Sequence, residues 1–409
     1  MCHAYLENIF KMKIVIIGAG HAGVQAAVSL REEGFEGKIT LISEENDLPY
    51  QKPPLSKGYL QGKQSAEAII FRSENYYSSN KIDLKLGVKI LQINPNNNSI
   101  QTIDGQNIEY SHLILATGAS NRKLNIEGAE NTEILYLRTL TDAKLIEQKL
   151  ETAEKIAIIG GGFIGLELAA LAQEKGKKVS VIEAQSRLME RVLPAVISEV
   201  FQQTHEQNGV EIFLNTFTES IQEKNIITKC GKKIEADLIL AGIGVIPEMS
   251  LAASAGIKCE NGFLVNEFQQ TSIPNIYAIG DCANHFNIFA QKNIRLESVQ
   301  NAVDQAKVAA NHILGKSEPY NAVPWFWTFQ YNLKLQMAGI STGFDRYIVR
   351  GDVNSGKFSV YYFKNNKLIA VDSLNKAAEH LNARKLLNTQ IYPTDEQIVN
   401  TEFNLNSLM

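Results

Sequence analysis

Two glycine triplets share the spacing G-x-G-x-x-G: Gly18, Gly20 and Gly23 in "GAGHAG", and Gly160, Gly162 and Gly165 in "GGGFIG". At this spacing the first glycine permits a tight turn and the second lets backbone N–H groups approach a pyrophosphate at a helix N-terminus. The third lets that helix pack close on its strand. An acid follows each triplet by about 20 residues, where a carboxylate accepts hydrogen bonds from ribose hydroxyls. These acids are Glu44, with Glu45 beside it, and Glu183. A third feature is Gly280 followed by Asp281 in "IPNIYAIGDCA", a turn that either hydrogen-bonds a polyol or simply ends a strand.

Such a cradle needs a strand before it, a helix behind it and a second strand leading to the acid. The chain supplies all three twice. "KIVII" (13–17) is the β-branched run of a buried parallel strand, "AGVQAAVSLREEG" is a helix closed by Gly34, and "KITLIS" runs up to Glu44. The unit recurs as "KIAIIGGGFIGLELAALAQEKGKKVSVIEAQSR", ending its second strand at Glu183. Two cradles mean two dinucleotides, most economically one flavin and one nicotinamide. Glu183 repels a 2′-phosphate and accepts from a 2′-hydroxyl, which favours NADH over NADPH; Arg187, four residues on, tempers that preference. Asp281 comes after the second unit, so a second flavin segment must lie beyond it.

Composition narrows the class. A chain of 409 residues allows two or three domains at about 150 residues each. A net charge of -4 argues against nucleic acid as the main partner, which needs a basic footprint. The four cysteines, Cys2, Cys230, Cys259 and Cys282, include no Cys-x-x-Cys, and none lies between Cys2 and Cys230. This excludes dithiol chemistry at the first cradle and argues against a sulfenic-acid centre there. Cys282 is expected to pack. Both apolar stretches long enough to suggest a signal or a membrane span are broken by glycines, so the protein is read as cytoplasmic, with residues before Lys13 as an extension. His21 is expected to be tolerated in the cradle, the other histidines lack metal-ligand spacing, and "QEKNIITKCGKK" is expected to be a solvated turn.

The first cradle, "LILATGA" (113–119), "IYAIGDCA" and the second cradle together resemble the two-dinucleotide flavoprotein reductases. "LPYQKPPLSKGYL", "ESVQNAVDQAKVAA" and "VPWFWTFQYNLKLQMAG" are similar to one branch, the FAD-dependent ferredoxin and rubredoxin reductases, related to apoptosis-inducing-factor-like proteins. The resemblance covers about residues 12 to 390. It implies an α/β fold of glutathione-reductase-like architecture, with two Rossmann-like domains and a small C-terminal α+β domain. The expected boundaries are 12–118 and 245–322 for the two segments of the FAD domain, 119–244 for the NADH domain and 323–409 for the C-terminal domain. The terminal strands "YIVRG", "KFSVYYF" and "KLIAVDS" and a helix near "AAEHLNARKLL" agree, with a hairpin rhythm.

Carried over by residue, the resemblance implies that Gly18, Gly20, Gly23 and Glu44 hold the adenosine half of FAD and Asp281 its ribityl chain. Ala116, Thr117 and Gly118 border the same cofactor. Lys52 and Lys57 lie along it, Glu297 to Val299 pass beneath its pyrimidine edge, and Trp327 shields it and lines the electron exit. Gly160, Gly162, Gly165, Glu167 and Glu183 take NADH. Lys57 and Glu167 form the expected catalytic pair, the lysine favouring the reduced flavin and the acid holding it in one rotamer. A solvated Glu167 is disfavoured by the apolar Ile164, Leu168 and Leu171 around it. Pro53 and Pro54 are expected to keep the residues before them extended, so that the loop presents Lys57 reproducibly as a contact between two domains. Trp325 and Phe326 are expected to fill the core of the small domain.

Three positions depart from the branch. Lys52 stands where arginine is usual, Phe329 where an acid is usual and Glu248 where asparagine is usual. The implied function is transfer of hydride from NADH to flavin and of single electrons onward to a 2Fe-2S ferredoxin serving an oxygenase. The alternatives are a rubredoxin or small-acceptor reductase, or a redox-sensing flavoprotein resembling apoptosis-inducing factor.

Overall fold

The structure, a computed structural model, describes residues 11–316 and 318–409. Cys2 and the start of the expected extension, residues 1–10, lie outside the described residues. The chain divides into two compact units: Met1–Gln51 with Glu67–Ser120 and Ile246–Pro324, and Lys52–Ala66 with Asn121–Val245 and Trp325–Met409.

The first unit is built on a five-stranded parallel sheet in the order Ile276–Ala278, His112–Leu115, Lys13–Ile17, Lys38–Ile42, Ile82–Lys85. Apart from the leading lysines, every residue of Lys13–Ile17 and Lys38–Ile42 is buried, as continuous β-branched runs in a sheet covered on both faces must be. One face carries the helices His21–Glu32 and Val299–Ile313, in a core where Ala26, Ala27, Ala306, Ala309 and Ala310 leave room for close helix packing. On the other face, Val15, Ile17, Leu113 and Leu115 pack with Ile100 of a small antiparallel sheet and with Phe263. Cys282 lies in this second core and gives its thiol proton to the carbonyls of Leu115 and Ile279; burial pushes the thiol up from its ordinary range. Its expected packing role holds.

The second unit repeats the plan with a parallel sheet ordered Glu211–Phe213, Lys178–Ile182, Lys155–Ile159, Leu238–Ala241, Ile134–Leu135, on which the helix Phe163–Glu174 packs. The C-terminal region adds an antiparallel five-stranded sheet ordered Trp325–Gln330, Leu333–Gly339, Lys367–Leu374, Lys357–Lys364, Arg346–Asp352, backed by the helix Ala377–Thr389. The expected fold class is the observed one.

Two expectations fail locally. "QEKNIITKCGKK" is not a solvated turn: Asn225–Thr228 is the middle strand of a three-stranded sheet with Thr218–Gln222 and Lys233–Glu235. Ile226 anchors that strand in the core, and only the flanking lysine-rich corners meet solvent. Nor are the residues before the prolines extended. Pro53–Ser56 is a short 3-10 turn with proline at its start, and Lys52 ahead of it has φ -74° and ψ -35°, helical values. The prolines thus start a turn whose first N–H groups need no partner.

Candidate functional site

In both cradles the outer glycines and the middle one do different jobs. A Cβ on Gly18 would stand 2.1 Å from the Ala116 carbonyl oxygen, and one on Gly23 would stand 1.8 Å from that of Gly18. On Gly20 it would meet nothing within 4 Å. The second cradle gives the same pattern: 2.5 Å to the Gly242 oxygen from Gly160, 2.1 Å to the Gly160 oxygen from Gly165, and nothing nearer than 3.9 Å from Gly162. The outer glycines are therefore required by packing, while the middle one keeps backbone N–H groups open to space. Neither helix has a side-chain cap or an acid in its first turn, so each start suits an anion.

Around the first cradle the unit gathers the other expected residues. Ala116 packs on Gly18 and Gly23, and the Thr117 hydroxyl donates to the Glu248 carbonyl at 2.7 Å. The Glu248 N–H returns a bond to the Gly118 carbonyl at 2.9 Å. Gly280 has φ +75°, and a Cβ there would lie 3.0 Å from Ala22 Cβ, so the Gly280–Cys282 turn that carries Asp281 sits against the first cradle helix. Glu297 pairs with Arg295 at 2.7 Å, and Val299 opens a helix capped by the Ser298 hydroxyl. Glu44 points outward and pairs with Lys89 at 2.7 Å, its side chain 66% exposed. His21 meets Phe71 edge-on, with ring centroids 4.8 Å apart.

Glu183 is placed differently. Its Oε2 accepts the Gly161 N–H at 2.6 Å and its Oε1 the Gln185 N–H at 2.8 Å, which fixes the carboxylate at the mouth of the second cradle. At Gly161, an arbitrary residue in the spacing pattern, a Cβ would stand 2.7 Å from Leu188 Cδ2 and 3.0 Å from Glu183 Oε2, both ends of side chains. The Arg187 guanidinium is committed elsewhere, donating to the carbonyls of Leu193 and Glu190 and to the Ser198 hydroxyl.

A buried polar cluster surrounds Glu167, which is 4% exposed although it lies on the cradle helix. Lys57 Nζ donates to its Oε2 at 2.8 Å, the Ser56 hydroxyl donates to the same oxygen at 2.5 Å, and the Thr328 hydroxyl donates to Oε1 at 2.6 Å. A buried carboxylate is tolerated when paired and hydrogen-bonded in this way. Leu168 and Leu171 are buried as expected, but Ile164 is exposed. The proline loop and Glu167 fall in the same compact unit. The two hydroxyl donors carry no sequence signal, being 111 and 161 residues from Glu167.

On the strand Trp325–Gln330 side chains alternate. Thr328 and Gln330 are buried and Phe326 meets Phe163 of the cradle helix at 5.0 Å, while Trp327 is half-buried beside Trp325. Trp325 and Phe326 are packing residues but only half-buried: Trp325 also lies under the Arg384 guanidinium and against His380. Lys52 donates to the Arg138 carbonyl at 3.4 Å. Phe329 is 42% exposed.

Two family descriptions match nearly the whole chain, "Pyridine nucleotide-disulphide oxidoreductase" over residues 12–306 and "Reductase C-terminal" over residues 325–409. The chain belongs to the pyridine nucleotide-disulphide oxidoreductase family. The rhodocoxin reductase of Rhodococcus erythropolis is 44% identical over 399 residues, 96% of this chain and 93% of that one. A rubredoxin-NAD(+) reductase of Pseudomonas putida is 40% identical over 369 residues, 89% of this chain and 96% of that one. Among solved structures, a covalent putidaredoxin reductase-putidaredoxin complex superposes with a TM-score of 0.94 at 35% identity, covering 97% of this chain and 98% of that one.

As a member of this family the chain is an oxidoreductase using FAD and NAD(P)H, and its residues fit both. Two open cradle mouths, each at an uncapped helix start, answer to two pyrophosphates. Among the described residues the disulphide in the family name has no counterpart: Cys230 and Cys259 are exposed and free, and Cys282 is buried and free. The departure at Glu248 leaves the reductase frame intact, since the bonds to Thr117 and Gly118 use its backbone. Among the described residues no helix is long and apolar enough to cross a membrane, and no group of three or more acids, histidines or cysteines is placed to hold a metal.

Proposed function

We propose that this oxidoreductase is an FAD-dependent NADH reductase that delivers electrons to a small iron-sulfur protein, a 2Fe-2S ferredoxin feeding an oxygenase, from the cytoplasm. The observation that carries the reading is the Lys57–Glu167 pair, a half-buried lysine on a buried acid of the second cradle helix, in a chain with no cysteine between Cys2 and Cys230. Without a thiol relay, electrons leave for an external acceptor. The relatives named for rhodocoxin, putidaredoxin and rubredoxin support a small protein in that role.

FAD belongs with Gly18, Gly20, Gly23, Glu44, Ala116, Thr117, Gly118, Asp281, Glu297 and Val299, bordered by Lys52, Lys57 and Trp327. NADH belongs with Gly160, Gly162, Gly165, Glu167 and Glu183. Residues 12–118 and 245–322 are assigned to the flavin domain, 119–244 to the nicotinamide domain and 323–409 to the C-terminal domain. When bound, the flavin takes a hydride and returns its electrons one at a time. The chain itself binds, orients and sets charge. Lys57, held by Glu167 and Ser56, brings one positive charge to a fixed place, so no side chain need act as acid or base.

NADH is preferred over NADPH. Glu183, fixed by two backbone N–H groups at the cradle mouth, repels a 2′-phosphate, while Arg187, the cation that could offset it, is spent on loop carbonyls. The deciding experiment reduces the FAD-loaded protein anaerobically with NADH or NADPH, then mixes it rapidly with ferredoxins and rubredoxins. Fast reduction by NADH and fast reoxidation by a 2Fe-2S ferredoxin are expected. Failure to reoxidise with any iron-sulfur carrier refutes the proposal, and reoxidation by rubredoxin alone moves it to the second acceptor.

A further inference from the structure

A chain of buried hydrogen bonds continues from Glu167 into the C-terminal sheet. Thr328 Oγ1 donates to Glu167 Oε1 at 2.6 Å, Gln330 Nε2 donates to Thr328 Oγ1 at 3.3 Å, and His205 Nε2 lies 2.9 Å from Gln330 Oε1. All four side chains are buried. The direction of the chain is forced. A carboxylate paired with lysine only accepts, so the threonine hydroxyl gives its proton to Glu167 and must itself accept from the amide nitrogen. That leaves the amide oxygen to accept, which assigns the ring proton of His205 to Nε2. His205 Nδ1 has no hydrogen-bond partner among the described residues, and burial lowers the proton affinity of the ring. Every donor points toward Glu167. A carboxamide does not relay protons, so the chain orients the carboxylate and does not conduct.

We infer that Thr328 and Gln330 are positioning residues for the Lys57–Glu167 pair: Thr328, itself held by Gln330 with His205 behind it, engages Oε1 so that Oε2 is left to Lys57 and Ser56. The C-terminal sheet then serves hydride transfer as well as any later step. The inference rests on the proposed role of Glu167.

The test uses the full-length, FAD-loaded protein carrying T328V, T328S or Q330L, with E167Q as reference. T328V is expected to slow single-turnover reduction by NADH about 10-fold at unchanged NADH affinity, as befits a lost hydrogen bond to a charged group. T328S restores the rate to within about 2-fold, and T328V added to E167Q slows it no further. Independently of activity, the 15N spectrum of His205 shows the Nε2–H form from about pH 6 to about pH 8, and Q330L perturbs it. A T328V protein that loses stability at full rate, full additivity on E167Q, or an Nδ1–H ring overturns the inference. A slow E167Q with a fast T328V overturns it alone, whereas an E167Q as fast as the parent overturns the reading beneath it as well.

Discussion

The two cradles are built from the same strand-turn-helix unit, yet they end in different chemistry. Aligned on their glycines, Gln25 of the first helix stands where Glu167 stands in the second. Gln25 donates to Ser29 one turn along its own helix at 3.0 Å and is only half-buried. Glu167 is a buried anion served by three donors from two other elements. The acids diverge in the same sense: Glu44 faces solvent beside Lys89, whereas Glu183 is folded back onto the glycine turn. On the proposed division of cofactors, the first copy is a passive mount and the second carries a fixed charge on its cradle helix.

The strongest test of that difference is to fill each cradle in turn. Gly23→Val drives a side chain into the Gly18 carbonyl and is expected to yield protein without yellow colour, assayed by flavin absorbance after purification. Gly165→Val should keep the flavin but lose NADH saturation by more than about 100-fold in KM. If both lose flavin equally, the cradles do not divide the cofactors as proposed.

Next in size is the charge. Glu167→Gln or Lys57→Met is expected to slow flavin reduction about 10- to 100-fold with FAD retained, in stopped-flow absorbance, because a preorganised charge is removed. Gln25→Ala should leave that rate within about 2-fold, since its partner is only the Ser29 hydroxyl. Smaller again is the acid pair. Glu183→Ala should weaken NADH binding about 10-fold and narrow its advantage over NADPH, whereas Glu44→Ala, its ion pair exposed, should cost flavin affinity less, by titration of each ligand.

Outside both cradles, burial alone pushes Asp372 up to about 7 in the C-terminal sheet, despite the proton that Tyr362 shares with it. A carboxyl raised in the folded state holds its proton where the unfolded chain has lost it, so stability falls as pH rises from about 4 to about 7. Asp372→Asn should flatten that slope in thermal melts across this range while leaving NADH reduction unchanged.

Much of this was legible in the sequence for a plain reason. The strands Lys13–Ile17 and Lys155–Ile159, their glycine turns and the burial of Glu167 follow from periodicity and from what a tight turn demands of its neighbours. What escaped depends on contacts remote in the chain. The Gly161 N–H meets the Glu183 carboxylate only in the folded chain, and Ser56 and Thr328 matter only because folding brings their hydroxyls to one carboxylate. The strand Asn225–Thr228 was hidden by the lysines on its flanks, because one anchoring isoleucine outweighs a polar surround.

The alternation along Trp325–Gln330 bears on protein engineering. Exchanging C-terminal regions between reductases is an obvious route to a new electron carrier. In this chain, such a graft also replaces Thr328 and Gln330, so a chimera designed to change only where electrons go would change how fast they arrive. A graft that keeps hydroxyl and carboxamide at those two positions, and varies the half-buried neighbours on the opposite face, separates the two effects.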